Sequence, residues 1–147
     1  MSDQQKLITG LHSLLANSHV LYLQTQSGHW NITGMQFYAL HKLFEEQYSA
    51  LAQAIDVIAE QIRTLGVKVS ANMAQFSKDN QLTEGAPDLS PQAIVSGLLK
   101  SHQQLQTLIE PLLTLCEQLN DKAIEDLLIQ RMIFHKTASW MLQASLD

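Results

Sequence analysis

The feature that most restricts the fold of this chain is the spacing of its apolar residues. Leucine and other apolar residues recur at intervals of three and four positions, as between Leu7 and Leu23, and alternation at every second position is nearly absent. Intervals of three and four place side chains on one face of an α-helix, whereas alternation is typical of a β-strand. The sequence therefore predicts an all-α protein.

Breaks in this periodicity divide the chain into four long helices, predicted at about residues 3–30, 36–65, 91–118 and 120–145. The turn residues from Asn31 to Gly34 join the first two helices by a short loop, which makes them antiparallel. Ser90 and Pro91 are typical of a helix start. Asn120 is expected to cap the last helix.

The segment between Gly66 and Ser90 is too long for a tight turn and contains Gly85 and Pro87. It is predicted to be a crossover that carries one short helix, at about residues 71–78. Two short-looped helical hairpins joined by one long connection form a four-helix bundle of the ferritin-like type. We expect residues 1–147 to form a single domain with this fold.

The composition of the chain restricts its possible binding partners and its cellular compartment. The 147-residue chain is 46% hydrophobic and has a formal net charge of −5, which disfavours binding to a polyanion and favours cations. Cys116 is the only cysteine and excludes an internal disulfide or a thiolate metal cluster. The chain begins without the pattern of a signal peptide and has no apolar run long enough to span a bilayer. We expect a soluble, cytoplasmic protein.

The second predicted helix carries four potential metal ligands along one stripe. With His41 at zero and about 100° of rotation per residue, Glu45, Asp56 and Glu60 all lie within about 100° of it. The apolar core residues of the same helix lie on the adjoining face. Glu45 and Asp56 are nevertheless roughly 16 Å apart along the axis, which is too far for two ligands of one ion. One chain alone cannot complete a metal site along this stripe.

A second copy of the helix can supply the missing ligands. If two copies pack antiparallel about a two-fold axis between Ala50 and Leu51, the histidine end of each faces the acidic end of the other. The facing pairs are His41 with Glu60 of the partner subunit, and Glu45 with Asp56 of the partner subunit. Small residues near the axis, Ser49 and Ala52, allow two helices to approach closely. Such a dimer holds two equivalent sites.

His29 lies just before the first turn and can reach the start of the second helix, where it adds an imidazole nitrogen to His41 and the carboxylates. A mixed nitrogen and oxygen set without sulfur suits iron(II), manganese or zinc better than copper(I). The Glu-x-x-His pairs of di-iron centres held inside a single bundle occur nowhere in this chain. Their absence argues against a di-iron centre of that kind.

Each of these residues also has a simpler interpretation. Carboxylates four positions apart on a helix are most often solvated surface groups, and an isolated histidine such as His29 more often caps or hydrogen-bonds. Trp30 is expected in the core or an interface, although beside an iron site it can also donate an electron to a radical. The other histidines lack acidic neighbours and are assigned structural or surface roles: His12, His19, His102 and His135.

Several segments taken together carry a family resemblance. They are His29-Trp30-Asn31, Gly34, Phe37-Tyr38-Ala39, His41, Glu45, Asp56, Glu60 and Arg63 with Leu65-Gly66. In this order and spacing they resemble the signature of the Dps family, the DNA-protection-during-starvation miniferritins. The likeness covers nearly the whole chain in length and helix order.

The resemblance implies a hollow dodecamer built from two-fold dimers, which oxidises iron(II), usually with hydrogen peroxide, and stores the iron(III) mineral, protecting against oxidative stress. The implied ferroxidase ligands are His29, His41 and Glu45 of one subunit, with Asp56 of the partner subunit and Glu60 of the partner subunit. The resemblance also implies iron entry through acidic pores at three-fold axes, near the start of the last helix. This chain has Asp121, Glu125 and Asp126 there, although acids near a helix N-terminus are favourable on their own.

Two alternatives remain open beside this ferroxidase. One is a nucleoid-compacting DNA-binding protein with little ferroxidase activity. Family members that bind DNA directly often use a lysine-rich tail, whereas this chain has only Lys6 before Leu7, accompanied by Asp3, and ends in Leu146-Asp147. The other is a self-associating bundle held together by zinc. We expect a homo-oligomer acting on iron and hydrogen peroxide, with direct DNA binding disfavoured and no membrane partner.

Overall fold

The structure is a computed structural model that describes residues 1–147, and its secondary structure is entirely helical. The five helices are α1 (Asp3–Asn31), α2 (Phe37–Thr64), α3 (Met73–Asp79), α4 (Pro91–Leu119) and α5 (Lys122–Leu146). The four long helices α1, α2, α4 and α5 form a bundle, and short α3 lies in the connection between α2 and α4. The predicted fold class, an all-α four-helix bundle with a helix-bearing crossover, is confirmed.

Antiparallel pairing of α1 with α2 brings the end of the first helix beside the start of the second. Ser2 begins α1 with a capping box in which its hydroxyl accepts from the Gln5 backbone N–H. Gly34, with φ of 98°, allows the loop after α1 to reverse direction in a conformation that most residues disfavour. The tight loop places the two histidines that flank it, His29 and His41, opposite each other.

The core fills the space between the four long helices with aliphatic side chains and one phenyl ring. Leu11 and Leu21 of α1, Phe44 and Ile58 of α2, and Leu105 of α4 are all fully buried. The core face of α2 therefore turns inward, as its periodicity predicts, and the opposite face of that helix remains uncovered. None of the five helices combines the length and apolarity needed to cross a lipid bilayer.

The crossover is attached to the outside of α1. The Phe76 ring of α3 stacks on His19 with 4.5 Å between ring centroids, and the Asn17 side-chain oxygen accepts a hydrogen bond from the Gln81 backbone N–H at 2.8 Å. Because both contacts are made to α1, α3 does not cover the exposed face of α2. On that face Ser49, Ala52, Asp56 and Glu60 are exposed.

One predicted cap is wrong. Asn120 does not begin the last helix but ends α4 in the left-handed conformation, with φ of 54°. Asp121 is the N-cap of α5, and its carboxylate accepts a hydrogen bond from the Ile124 backbone N–H at 3.1 Å. Asparagine is one of the few residues besides glycine that adopts this left-handed conformation readily, which explains its position at the end of the helix.

Candidate metal centre

Two histidines meet where α1 ends and α2 begins. The His29 and His41 rings are nearly parallel, with 3.8 Å between their centroids and 12° between their planes. The His29 Nδ1 lies 2.6 Å from the His41 carbonyl oxygen, and the His41 Nδ1 lies 2.7 Å from the His29 carbonyl oxygen. Each ring is thus held against the backbone of the other residue.

This reciprocal pairing determines the tautomer of both rings. A carbonyl oxygen can only accept a hydrogen bond, so the nitrogen that contacts it must carry the proton. Both neutral imidazoles therefore donate from Nδ1 and keep an unshared electron pair on Nε2. Metal-binding histidines commonly have their second nitrogen fixed in this way, because the outer hydrogen bond orients the ring. The two rings are stacked face to face, and the Nε2 atom of each ring is free of hydrogen bonds to the rest of the chain.

Aromatic neighbours hold the histidine pair in place. Phe37 stacks on His41 with 5.1 Å between centroids, and the Tyr48 ring meets His29 edge-on at 5.3 Å. His29 itself is only 8% exposed. Tyr48 is half-buried beside the candidate ligands. Packing on both sides limits rotation of the imidazoles away from this geometry.

The acidic residues of α2 lie along its uncovered face. Glu45 is half-buried and its carboxylate lies 3.4 Å from the Lys42 ammonium, with both side chains close to half exposed. An exposed ion pair of this kind is worth at most about 1 kcal/mol, so a cation can displace Lys42 at little cost. Asp56 and Glu60 are exposed and have no partner in the chain. These carboxylates are accessible to ions from the solvent.

A single chain does not bring all five candidate ligands together. No group of three or more histidine, cysteine or acidic side chains is close enough to hold a metal ion. His29 and His41 are in contact, Glu45 follows one turn later, and Asp56 and Glu60 lie farther along the same helix. Between the two halves the exposed positions include Ser49 and Ala52, whose small side chains leave room for another helix. A single chain therefore carries its candidate ligands in two separate groups, one of histidines with Glu45 and one of Asp56 with Glu60.

Trp30 and the acidic residues near the start of α5 are the remaining candidate functional residues. Trp30 is 68% exposed and therefore lies outside the core of the single chain, and its position in an interface and its role as an electron donor stay predictions. Asp121 caps α5, and Glu125 pairs with Lys122 at 2.7 Å, which raises the pKa of that lysine. Asp126 is exposed. An iron-entry pore formed by these three acids stays a prediction.

Two of the histidines assigned structural or surface roles are buried and bonded to each other. The His102 and His135 rings are fully buried, and their Nδ1 atoms lie 2.9 Å apart. Neither has an acidic partner, as the sequence indicates. The two residues are 33 positions apart, so the sequence gives no local signal of the contact, which only the pairing of α4 with α5 creates.

Comparison with known proteins places this arrangement in a family. Residues 8–147 match the Ferritin-like domain family. The chain is 28% identical to DNA protection during starvation protein 2 of Bacillus anthracis, over 97% of this chain and 98% of that protein. It is 34% identical to a low-temperature-induced protein of Nostoc sp., over 100% of this chain and 84% of that protein.

Solved structures give the same answer. A Dps protein from Bacillus brevis superimposes with a TM-score of 0.95 at 28% identity, covering 100% of this chain and 99% of that one. A Dps protein from Vibrio cholerae O1, described as a member of a broad superfamily of ferritin-like diiron-carboxylate proteins, has a TM-score of 0.93 at 32% identity, covering 99% and 91%. Fold, helix order and sequence agree, and the chain belongs to the Dps family of ferritin-like proteins.

Proposed function

We propose that this protein is a ferroxidase that oxidises iron(II) between two-fold-related subunits and stores the iron(III) product in a hollow oligomer. His29, His41 and Glu45 of one subunit bind iron together with Asp56 of the partner subunit and Glu60 of the partner subunit. The observation that carries the proposal is the stacked histidine pair, whose Nδ1 atoms are both bonded to backbone carbonyls. Membership of a family with diiron-carboxylate relatives supports iron as the metal.

The donor set fits iron in both oxidation states. Two imidazole nitrogens bind iron(II), and three carboxylates favour the more highly charged iron(III) once it forms. Iron enters as a substrate and leaves as a mineral, so the site needs ligands that exchange readily. The exposure of Asp56 and Glu60, and the weak pairing of Glu45 with Lys42, leave these carboxylates free to bind and release the ion.

Hydrogen peroxide is the oxidant that suits this chemistry. Two iron(II) ions each lose one electron, and the peroxide O–O bond breaks as it takes up both. The two oxygen atoms become oxide or hydroxide of the ferric product, while water supplies further hydroxide and releases protons. Because both electrons are delivered together, no hydroxyl radical is released. Storage of iron therefore also protects the cell against oxidative stress, and we place this activity in the cytoplasm.

The proposed assembly is a dodecamer built from two-fold dimers. A dimer completes each metal site, but only a closed shell can hold mineral. The exposed α2 face, with Ser49 and Ala52 near its middle, is the surface through which we expect two subunits to pair. Mass measurement of the native particle tests this step independently of the chemistry.

Removal of the acidic half of the site tests the proposed catalysis. The double variant Asp56→Ala with Glu60→Ala is expected to assemble normally yet oxidise iron(II) at least about tenfold more slowly after peroxide is added. The matched control is Asp88→Ala with Glu110→Ala, which removes the same two residue types from exposed positions outside α2. Oxidation is followed as the rise of ferric absorbance after anaerobic loading. Equal rates in both variants would refute the site.

The same experiment distinguishes the proposed ferroxidase from a bundle that is held together by zinc. Zinc has no redox step, so a protein whose interface is built only for zinc does not accelerate the ferric signal beyond that of iron(II) and peroxide in buffer alone. A rapid ferric signal in the native protein that is lost in the Asp56 and Glu60 variant supports the ferroxidase. The absence of this signal from the native protein contradicts it.

DNA compaction is retained as the second candidate because relatives are named for DNA protection. The net charge of −5 opposes it, and Lys6 is already paired with Asp3 at 2.9 Å. Protection of DNA by removal of iron and peroxide requires no contact with DNA, which makes the name of the family compatible with the proposed ferroxidase.

A further inference from the structure

A polar pair lies inside the bundle, away from the proposed iron site. His102 of α4 and His135 of α5 are both completely buried, and their Nδ1 atoms are 2.9 Å apart. The Nε2 atoms of both rings are buried and have no hydrogen-bond partner. Buried polar groups in folded proteins are nearly always satisfied by protein or ordered water. These two nitrogens therefore indicate an internal ligand.

Other buried polar side chains, from α1, α2 and α4, lie near the level of this pair in the bundle. The Ser101 hydroxyl, adjacent to His102 in the chain, donates to the Gln24 side-chain oxygen of α1 at 2.7 Å. Tyr22 of α1, two positions before Gln24, meets Tyr48 of α2 edge-on with 5.8 Å between ring centroids, so Gln47 lies within about one helical turn of the level of Gln24. Gln47 is only 5% exposed, and both of its side-chain amide atoms lack a partner.

Hydrogen-bond chemistry determines what these polar groups can bind. A bond between two Nδ1 atoms requires one ring to donate and the other to accept, so the neutral rings are opposite tautomers. One Nε2 then carries a lone pair and the other carries a proton, while the Gln47 amide offers one acceptor and two donor hydrogens. A ligand that both donates and accepts hydrogen bonds satisfies these groups, whereas a metal ion needs a lone pair from every atom that binds it. Water fits these groups.

The charges around these polar groups favour neutral rings. Gln24 from α1 and Gln47 from α2 are uncharged, and Arg131 of α5 is the charged group that acts on His135. Burial lowers the pKa of His102 to about 3. Burial, together with His102 and Arg131, lowers the pKa of His135 well below its usual value. No carboxylate is present to stabilise an imidazolium at either position.

We propose that His102, His135 and Gln47 form an internal water-binding layer that acts as an acid-sensitive latch between α4 and α5. At neutral pH the two rings share one proton between their Nδ1 atoms and bind water through Nε2. When acid protonates both rings, neither Nδ1 can accept, so the link between the helices breaks. Two like charges then face each other beside Arg131 in a core without counterions, and the bundle opens.

The linkage between proton binding and folding gives the size and sign of the effect of pH on stability. Unfolded histidines have a pKa near 6.5, and the folded rings remain neutral well below that value, so the unfolded chain binds more protons as pH falls. Stability is therefore fully present above about pH 7 and is lost as pH decreases. Between pH 7.5 and 5 the two rings together lower the folding equilibrium constant of each chain roughly a thousand-fold.

The test compares the native protein with the apolar variant His102→Leu with His135→Leu, using the assembled full chain. Urea unfolding at several pH values gives the number of protons taken up on unfolding. The native protein is expected to take up about two more protons per chain at pH 5 than the variant. The control His12→Leu, at a half-buried position on α1, removes one histidine outside the layer and should not reproduce this loss. Equal proton uptake by the native protein and the double variant overturns the proposal.

A measurement on the native protein keeps the proposal testable if the apolar variant does not fold. Long-range ¹H–¹⁵N spectra of histidine-labelled protein identify the tautomer of each ring. The expected result is one ring protonated at Nδ1 and one at Nε2, both unchanged from pH 7.5 to 5. Identical tautomers, or an imidazolium at pH 5, overturn the latch. A shift of both ring signals on stoichiometric addition of zinc also overturns it, in favour of a metal site.

Discussion

Mixing two inactive variants tests whether each iron site is shared between subunits. The first variant, His29→Ala with His41→Ala, lacks the nitrogen half of the site and keeps the acids of α2. The second, Asp56→Ala with Glu60→Ala, lacks the acidic half and keeps the histidines. Each variant alone is expected to be inactive, because neither its own chain nor an identical partner supplies a complete set.

The expected activity of the mixture follows from the two-fold geometry. Random pairing of equal amounts gives about half mixed dimers. Each mixed dimer contains one site with all ligands and one site that lacks both halves. The mixture should therefore regain about a quarter of the native number of sites. If all ligands acted within one chain, no chain in the mixture would hold a complete set and no activity would return.

The histidine variant is expected to remain folded. It loses the two reciprocal bonds from Nδ1 to a backbone carbonyl, which together contribute about 1–3 kcal/mol. This is less than the total stability of a typical domain, about 5–15 kcal/mol. Native mass measurement of variants carrying tags of different mass verifies that mixed oligomers have formed.

The assay measures the amplitude of the rapid ferric signal after anaerobic iron loading and addition of peroxide. The two variants are unfolded together and refolded together, while a control combines them only after separate refolding. Restored amplitude in the first sample and none in the control supports a shared site. Mixed oligomers without any rapid signal would refute the reasoning.

Three further predictions concern the turn, the last helix and DNA. Gly34→Ala should lower the free energy of unfolding by about 1–2 kcal/mol, because φ is 98° at this position. Gly34→Asn should lower it less, and equal urea midpoints for the native protein and both variants would contradict this prediction. Asp121→Ala should lower the free energy of unfolding by about 1 kcal/mol, because it removes the cap of α5, whereas Asp121→Asn should keep most of this stability. Equal losses of stability in the two variants would argue against capping. In gel retardation the purified protein should not shift DNA at about 0.15 M salt, and a shift there would favour the DNA-compacting alternative.

Local chemistry explains why the helices could be predicted so closely from the sequence. Ser90 caps α4 and Pro91 occupies its first turn, as their side chains predict. The misplaced start of α5 has a physical cause as well. Asn120 and Asp121 can both cap a helix, and only the left-handed backbone at Asn120 shows that it ends α4 and leaves the capping role to Asp121.

Helical periodicity also predicted the stripe of candidate ligands, but not how the histidines are held. The distance of His29 from His41 depends on the loop conformation and on the register of two helices, which no local pattern encodes. The same limit applies to His102 and His135, whose contact depends on how α4 packs against α5. Sequence spacing thus predicts residues that share one helix face, whereas contacts across helices require the folded bundle.

Placing the two halves of the proposed site at opposite ends of one helix stripe couples chemistry to assembly. A lone chain offers His29, His41 and Glu45 at one end, with Asp56 and Glu60 roughly 16 Å or more farther along the axis. Under the proposed mechanism, a lone chain would bind iron with only part of the ligand set, and the pairing of two α2 helices would complete both sites in one step. Iron oxidation would then be restricted to subunits that have already assembled, so that insoluble iron(III) would not form outside a shell.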